Sequence, residues 1–394
     1  MQQQSGNMVS FNNTEIAFNS KSKLQLHKAY YLFKLMGHPV LSKMGGKLAE
    51  LAISLHLPIK GIIKSTVFQQ FCGGENIEEC ALRIDKLAQY HIKTILDYSV
   101  EGKASEKDFN RTMKQTLASL DFANKNKNIP FAVFKVTGVA RFELLEKVNF
   151  GKVLSEEEQK EYDRALHRID KICKKAFQYK IPVMIDAEES WIQDTIDGIV
   201  EDMMKEYNKQ DAIVYNTLQM YRHDRLDYFK KAHNNSQHNG YFIGMKLVRG
   251  AYMEKENARA MRMGYPTPIQ ANKEASDRDY DLALEYACEN INGISICAGT
   301  HNEESSQHLI QLMKLHEIEK SDSKIYFAQL LGMSDHISYN LAADGYNTMK
   351  YVPYGPVKDV LPYLIRRADE NTSIAGQTSR ELNLIIQEIK RRKT

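Results

Sequence analysis

Several common signatures are missing from this 394-residue sequence, and each absence removes a class of function. It has five cysteines (Cys72, Cys80, Cys173, Cys288, Cys297), widely scattered, and no C-x-x-C pair. That spacing argues against a zinc site and a disulfide framework, and it fits a reducing compartment. No strand-like run leads into G-x-G-x-x-G, and no G-x-x-x-x-G-K-[ST] occurs, which disfavours dinucleotide and P-loop chemistry. "MGGKLAE" (44–50) imitates a phosphate loop only superficially, and helix packing explains its small residues better. The acidic "SEEEQKE" (155–161) lacks the alternating aspartates of a calcium loop and reads as a solvated helix start. No metal is therefore expected. A net charge of +3 is too small, for this length, to indicate nucleic acid.

Long apolar runs are absent too: none approaches the roughly 20 residues that span a bilayer. "MQQQSGNMVSFNNTEIAFNS" has no apolar core and no arginine, and it carries Glu15, so neither a secretory signal nor a mitochondrial transit peptide is expected. A cytoplasmic protein is expected, with peripheral contact at the inner face of a membrane left open.

The composition is that of an ordinary globular protein, 43% hydrophobic and 26% charged, enough for one large core or two modest ones. Residues 21–90 read as helical, with breaks at His38-Pro39 and Gly45-Gly46. Beyond about residue 90, short β-type runs alternate with amphipathic helices. The runs are "IKTILDY" (92–98), "FAVFKVT" (131–137), "PVMIDAE" (182–188), "AIVYNTLQ" (212–219), "FIGMKLV" (242–248), "ISICAGT" (294–300), "KIYFAQLL" (324–331) and "NTMKYVP" (347–353). Eight strands with helical connections predict an α/β fold, a (β/α)₈ TIM barrel, over 91–394 behind an N-terminal helical arm over 1–90. A doubly wound open sheet is the rival.

In such a barrel, chemistry collects at the C-terminal ends of the strands. Those ends offer Asp97, Lys135, Asp186, Gln219, Lys246 with Arg249, Thr300-His301-Asn302, Gln329 and Tyr351. Strand ends meet water and are often polar, but two lysines and an aspartate inside apolar runs are costly unless paired or bound to a ligand. "KLVRGAY" (246–252) sets two cations three residues apart before small residues that let a flat or anionic ligand approach. "AGTHN" (298–302) adds donor-rich side chains after a small-residue turn. In "YLIRRADE" (363–370), Tyr363, Arg366, Arg367 and Glu370 fall at i, i+3, i+4 and i+7 on one helix face. Periodicity alone fits a solvated face as well as a carboxylate clamp. The short "YVPYGPV" turn (351–357) after the last strand favours the clamp.

"KLVRGAY", "AGTHN", "QLLGM", "YVPYGPV" and "PYLIRRADEN", in this order, resemble the motif series of proline dehydrogenase, in its single-function, mitochondrial-type form. The similarity runs from about "FCGGE" (71–75) to residue 373. It implies a distorted barrel with FAD at its mouth, the last barrel helix over the top, and oxidation of L-proline to Δ1-pyrroline-5-carboxylate with electrons passed to a quinone. By resemblance, Arg366 and Arg367 hold the substrate carboxylate, Lys135 assists them, and Glu370 and Asp186 complete the charged cluster. Leu330, Tyr351 and Tyr363 pack around the ring. Gln219, Lys246, Val248, Arg249, Gly250, Ala251, Tyr252, Thr300, His301, Asn302 and Gln329 fall on the family's FAD contacts. Many bacterial members have arginine in place of Lys246, so the hydrogen bond at flavin N5 is expected to differ here. Three alternatives stay open: a 4-hydroxyproline dehydrogenase, in which a small residue replaces the tyrosine matched to Tyr351; a Schiff-base aldolase using Lys135 or Lys246; and a non-catalytic ligand-binding barrel. The N-terminal helices or the basic tail "KRRKT" (390–394) would supply any membrane contact.

Overall fold

The structure, a computed structural model, describes residues 9–36, 60–99, 105–373 and 377–393, and only the backbone for 368–373 and 377–379. "MGGKLAE" and the expected breaks at His38-Pro39 and Gly45-Gly46 lie outside the described residues. Each of the eight apolar runs contains a strand: β1 (Ile92–Tyr98), β2 (Phe131–Lys135), β3 (Val183–Asp186), β4 (Val214–Gln219), β5 (Ile243–Val248), β6 (Ile294–Gly299), β7 (Ile325–Leu330) and β8 (Thr348–Tyr354). They follow one another in chain order around a closed barrel, with parallel pairing. Closure excludes the open-sheet rival. β2 stops short of its predicted end because Val136–Gly138 turns into a 3₁₀ helix, where Thr137 donates its backbone N–H to the Glu188 carboxylate at 3.0 Å.

The helices are α1 (Thr14–Ala17), α2 (Lys23–Met36), α3 (Ile77–Ala88), α4 (Glu106–Asn124), α5 (Phe142–Asn149), α6 (Glu156–Tyr179), α7 (Ser190–Tyr207), α8 (Arg225–Asn239), α9 (Met253–Met263), α10 (Lys273–Glu289), α11 (Glu303–Leu315), α12 (Asp335–Ala343), α13 (Val357–Ser373) and α14 (Gln377–Arg391). A further helical run, Lys60–Phe71, contains a π-helical turn at Lys64–Phe68. The chain forms two compact units. One comprises Met1–Thr94, Ser99–Glu101 and Gln329–Thr394; the other comprises Ile95–Tyr98 and Gly102–Ala328. All five cysteines are buried free thiols.

In the second unit, Phe131 at the start of β2 packs edge-on against Tyr215 of β4 and Tyr326 of β7, at 5.3 and 5.0 Å between ring centres. These rings fill the N-terminal part of the barrel, so polar side chains are left for the other end. Around it, α6 shows how sequence dictates an outer helix. Ala165, Ile169, Ile172, Cys173 and Ala176 recur at helical spacing and are buried, and each buried isoleucine contributes about 1.5–3 kcal/mol. The acidic stretch 155–161 is the capped start of this helix: Ser155 Oγ accepts from Glu158 N at 3.2 Å while Ser155 N donates to Glu158 Oε2 at 3.0 Å. Replacing Ser155 with alanine is expected to cost about 1 kcal/mol in urea unfolding. An unchanged unfolding midpoint would mean that the capping box contributes nothing.

Candidate active site

Within the second unit, strand register brings the predicted polar residues together. Lys135, the last residue of β2, lies opposite Asp186, the last of β3. Thr217 of β4 lies opposite Lys246 of β5, and Gln219 opposite Val248. The Lys246 ammonium donates to the Asp186 carboxylate, and both residues are more than nine-tenths buried. A buried ion pair of this kind is costly to desolvate, so its position inside an apolar strand run points to a function beyond stability. The pairing also opposes the aldolase reading, because a nucleophilic lysine needs an apolar pocket rather than a carboxylate partner.

Arg249, three residues after Lys246, is held on every side. Its Nε donates to Asp277 of α10 at 2.5 Å, Nη1 to the Thr300 hydroxyl at 2.7 Å and Nη2 to Ser305 of α11 at 2.9 Å. Its guanidinium stands 4.3 Å from the Tyr280 ring centre. Burial disfavours the charged form of Asp277, but Lys273 and Arg249 together hold its carboxyl below the ordinary range. Arg249 therefore staples the end of β5 to the end of β6. Thr300 also accepts from Asn302 N at 3.1 Å, and Asn302 caps α11 by accepting from Glu304 N and Ser305 N at 2.8 and 3.2 Å. His301 lies half-buried between them. The next turn depends on Gly250, whose φ of +127° is foreign to other residues. A Cβ there would fall 2.4 Å from the Tyr221 ring. Gly250 and Ala251 are exposed, and Tyr252, the N-cap of α9, is half-buried.

Gln219 supplies a direct test of whether a flavin suits these residues. Its side chain is buried at the end of β4, and its Oε1 accepts no hydrogen bond among the described residues. A buried acceptor left without a donor is unfavourable, and a planar ring carrying N–H donors would satisfy it. The other predicted residues lie within the first unit, at the end of β7, on β8 and on α13. Leu330 packs against the cluster of Phe68, Phe71, Met333, Val360, Leu361, Tyr363 and Leu364. Its neighbour Gln329 is buried and accepts from the Ser338 hydroxyl at 2.7 Å. Leu331 N donates to Tyr351 O at 2.9 Å, tying the end of β7 to β8. On α13, Arg367 is only 9% exposed, with its guanidinium 5.1 Å from the Tyr363 ring centre, and Arg366 is half-buried. The helix is thus buried on the face that carries Tyr363 and Arg367, which rules out a fully solvated stripe. The Glu370 side chain lies outside the described residues.

Sequence reasoning missed two buried groups. Glu188, in the same "IDAEE" stretch as Asp186, accepts from the backbone N–H and hydroxyl of Thr137, and burial pushes its carboxyl up to about 7, against the opposing charge of Lys135. Lys350 is completely buried in β8 beside Tyr351 and pairs with Asp335 at 2.9 Å. A lysine inside the run "TMKYVPY" was the available signal. Among the described residues, no group of three potential ligands could hold a metal, and no helix is long and apolar enough to cross a membrane.

Comparison with known proteins agrees with this geometry. Residues 80–380 match the family described as proline dehydrogenase. The chain is similar to "Proline dehydrogenase 1, mitochondrial" of Dictyostelium discoideum, 32% identical over 425 residues that cover 96% of this chain and 74% of that protein. It is also similar to the hydroxyproline dehydrogenase of Xenopus laevis, 30% identical over 414 residues, covering 95% and 88%. Among solved structures, proline utilization A from Bdellovibrio bacteriovorus, inactivated by N-propargylglycine, matches the fold with a TM-score of 0.73 at 19% identity. That match covers 96% of this chain but only 40% of the larger protein. With a closed eight-stranded barrel, paired cations at its strand ends and a family match over most of its length, the chain is an enzyme of the proline dehydrogenase family.

Proposed function

We propose that this enzyme binds FAD and oxidises L-proline to Δ1-pyrroline-5-carboxylate, the first step of proline breakdown, and delivers the electrons to a quinone. The observation that carries the reading is the buried Asp186–Lys246 pair together with the unsatisfied Gln219 acceptor on the adjoining strand β4. In this reading residues 91–394 hold the cofactor and substrate, and residues 1–90 are the helical arm. Gln219, Lys246, Val248, Arg249, Gly250, Ala251, Tyr252, Thr300, His301, Asn302 and Gln329 would hold the FAD. The flavin, when bound, supplies the acceptor for a hydride from the carbon next to the proline nitrogen.

The chain's own residues bind and orient. Arg366 and Arg367 grip the proline carboxylate, with Lys135 adding a third charge; charge-assisted bonds to a planar carboxylate fix its direction. Arg367 arrives prearranged over Tyr363, so less side-chain freedom is lost on binding. Leu330, Tyr351 and Tyr363 wall the ring, and Glu370 and Asp186 balance the cations. Proline enters as the free amine, so no side-chain base is assigned. Lys246 would hold a positive charge beside the bound flavin and so offset the negative charge of its reduced form.

Tyr351 supports proline over 4-hydroxyproline, because a phenol beside the ring crowds an added hydroxyl. Peripheral attachment to a membrane surface would bring the protein to its quinone.

Two outcomes test this. Arg367→Met is expected to raise KM for proline by about 10- to 100-fold while flavin content stays near that of the wild type; an unchanged KM removes Arg367 from the clamp. kcat/KM for proline is expected to exceed that for 4-hydroxyproline by about tenfold or more, and the reverse preference would move the enzyme to the hydroxyproline branch.

A further inference from the structure

The loop after β7 carries more buried charge and backbone strain than a simple connection requires. Gly332 has φ +78°, and a Cβ there would lie 2.2 Å from Gln70 O. Ser334, fully buried, has φ +48°, a conformation that costs a non-glycine residue about 1 kcal/mol or more. Such a backbone persists only when its surroundings hold it, and here they do so from four separate stretches of chain. Gln70 Nε2 donates to Gly332 O at 2.8 Å. Lys350 of β8, with no exposed surface, donates to Met333 O at 2.5 Å and Leu330 O at 3.4 Å and pairs with Asp335. The other oxygen of Asp335 pairs with Lys21, before α2, at 3.0 Å. Glu381 of α14 accepts from Ser334 N at 3.0 Å. Arg392, just past α14, donates to Lys21 O and Phe18 O at 2.7 and 2.9 Å, closing the circle.

The placement of Lys350 is informative. Its neighbour Tyr351 points to the opposite face of β8, and one of the carbonyls it holds belongs to Leu330. One side chain therefore links β8, which carries Tyr351, to the end of β7, which carries Leu330. Burial pulls the Lys350 pKa down and opposes the Asp335 carboxylate, but Lys21 and Lys350 together hold the Asp335 carboxyl well below its usual range. Lys21 and Glu381 both lie outside residues 80–380, the stretch that matches the family. Terminal segments thus complete a charge cluster centred on catalytic-domain strands.

We propose that Lys350 is a positioning residue for the substrate ring, fixing Leu330 and Tyr351 through the β7–α12 loop, and that Lys21 extends this control to the N-terminal segment. The inference rests on the reading that Leu330 and Tyr351 wall the ring of proline. Removing the ammonium would let the loop relax from Gly332 to Ser334 and shift the ring wall, while the carboxylate clamp on α13 keeps its own residues.

The test uses full-length, FAD-loaded enzyme and its Lys350→Met and Lys21→Gln variants. Steady-state kinetics with proline are joined by inhibition with cyclopentanecarboxylate, which has a ring and a carboxylate, and propanoate, which has no ring. Lys350→Met is expected to raise KM for proline and the inhibition constant of cyclopentanecarboxylate about tenfold. The constant for propanoate, kcat and flavin content should stay within about threefold of wild type. Lys21→Gln should move the same two constants in the same direction by about threefold, and it carries the test if Lys350→Met does not fold. Unchanged constants for the ring ligands, or equal changes for both inhibitors, would overturn the proposal. Wild-type enzyme that does not oxidise proline would instead overturn the functional reading and this inference with it.

Discussion

An ammonium and a carboxylate buried on nearby strands anchor the polar part of this barrel. Neither Lys246 nor Asp186 could be buried alone, because a single unpaired charge in that position would cost several kcal/mol. Their pairing requires β3 and β5 to stand at a fixed register across β4, and that register also places Lys135 opposite Asp186. The aromatic packing of Phe131, Tyr215 and Tyr326 underneath keeps the strands from sliding, since each ring edge meets another ring face. The charged layer and the aromatic layer therefore depend on one another. Arg249 repeats the arrangement one strand on, with Asp277 as its counter-ion and Thr300 and Ser305 as neutral partners.

A single logic runs through both compact units. Four cations are each matched to a carboxylate, a carbonyl or an aromatic face: Lys246 to Asp186, Arg249 to Asp277 and Tyr280, Lys350 to Asp335 and two carbonyls, and Arg367 to the Tyr363 ring. Prearranged charge of this kind suits an enzyme whose cofactor performs the bond changes. The protein then has to supply orientation and electrostatic balance rather than a nucleophile.

Much of the fold was legible in the sequence because a buried parallel strand leaves a continuous apolar run, and all eight runs contain a strand. Their ends were less legible. Thr137 reads as β-forming, yet its bonds to Glu188 draw the chain into a turn, and that contact spans 51 residues. Among candidate site residues, those in tight motifs such as "KLVRGAY" stood out, because closely spaced small and charged residues have few structural explanations. Lys350 did not, because one lysine in a strand carries no local pattern; its partners lie far away in sequence, at Asp335 and beyond to Lys21. Asn302 was read as a ligand contact, and the structure also gives it a helix cap, a role visible in "THNEE" only once the helix start is known. On α13, periodicity placed Tyr363 with the arginines, and burial then decided between water and protein.

The central claim is that this barrel holds FAD and reduces it with proline. The most direct measurement is an anaerobic absorbance spectrum of the purified protein after loading with FAD and removal of excess, taken before and after addition of L-proline. The account predicts protein-bound flavin bands that bleach when proline is added. Protein that retains no flavin, or whose flavin stays oxidised in the presence of proline, would contradict it.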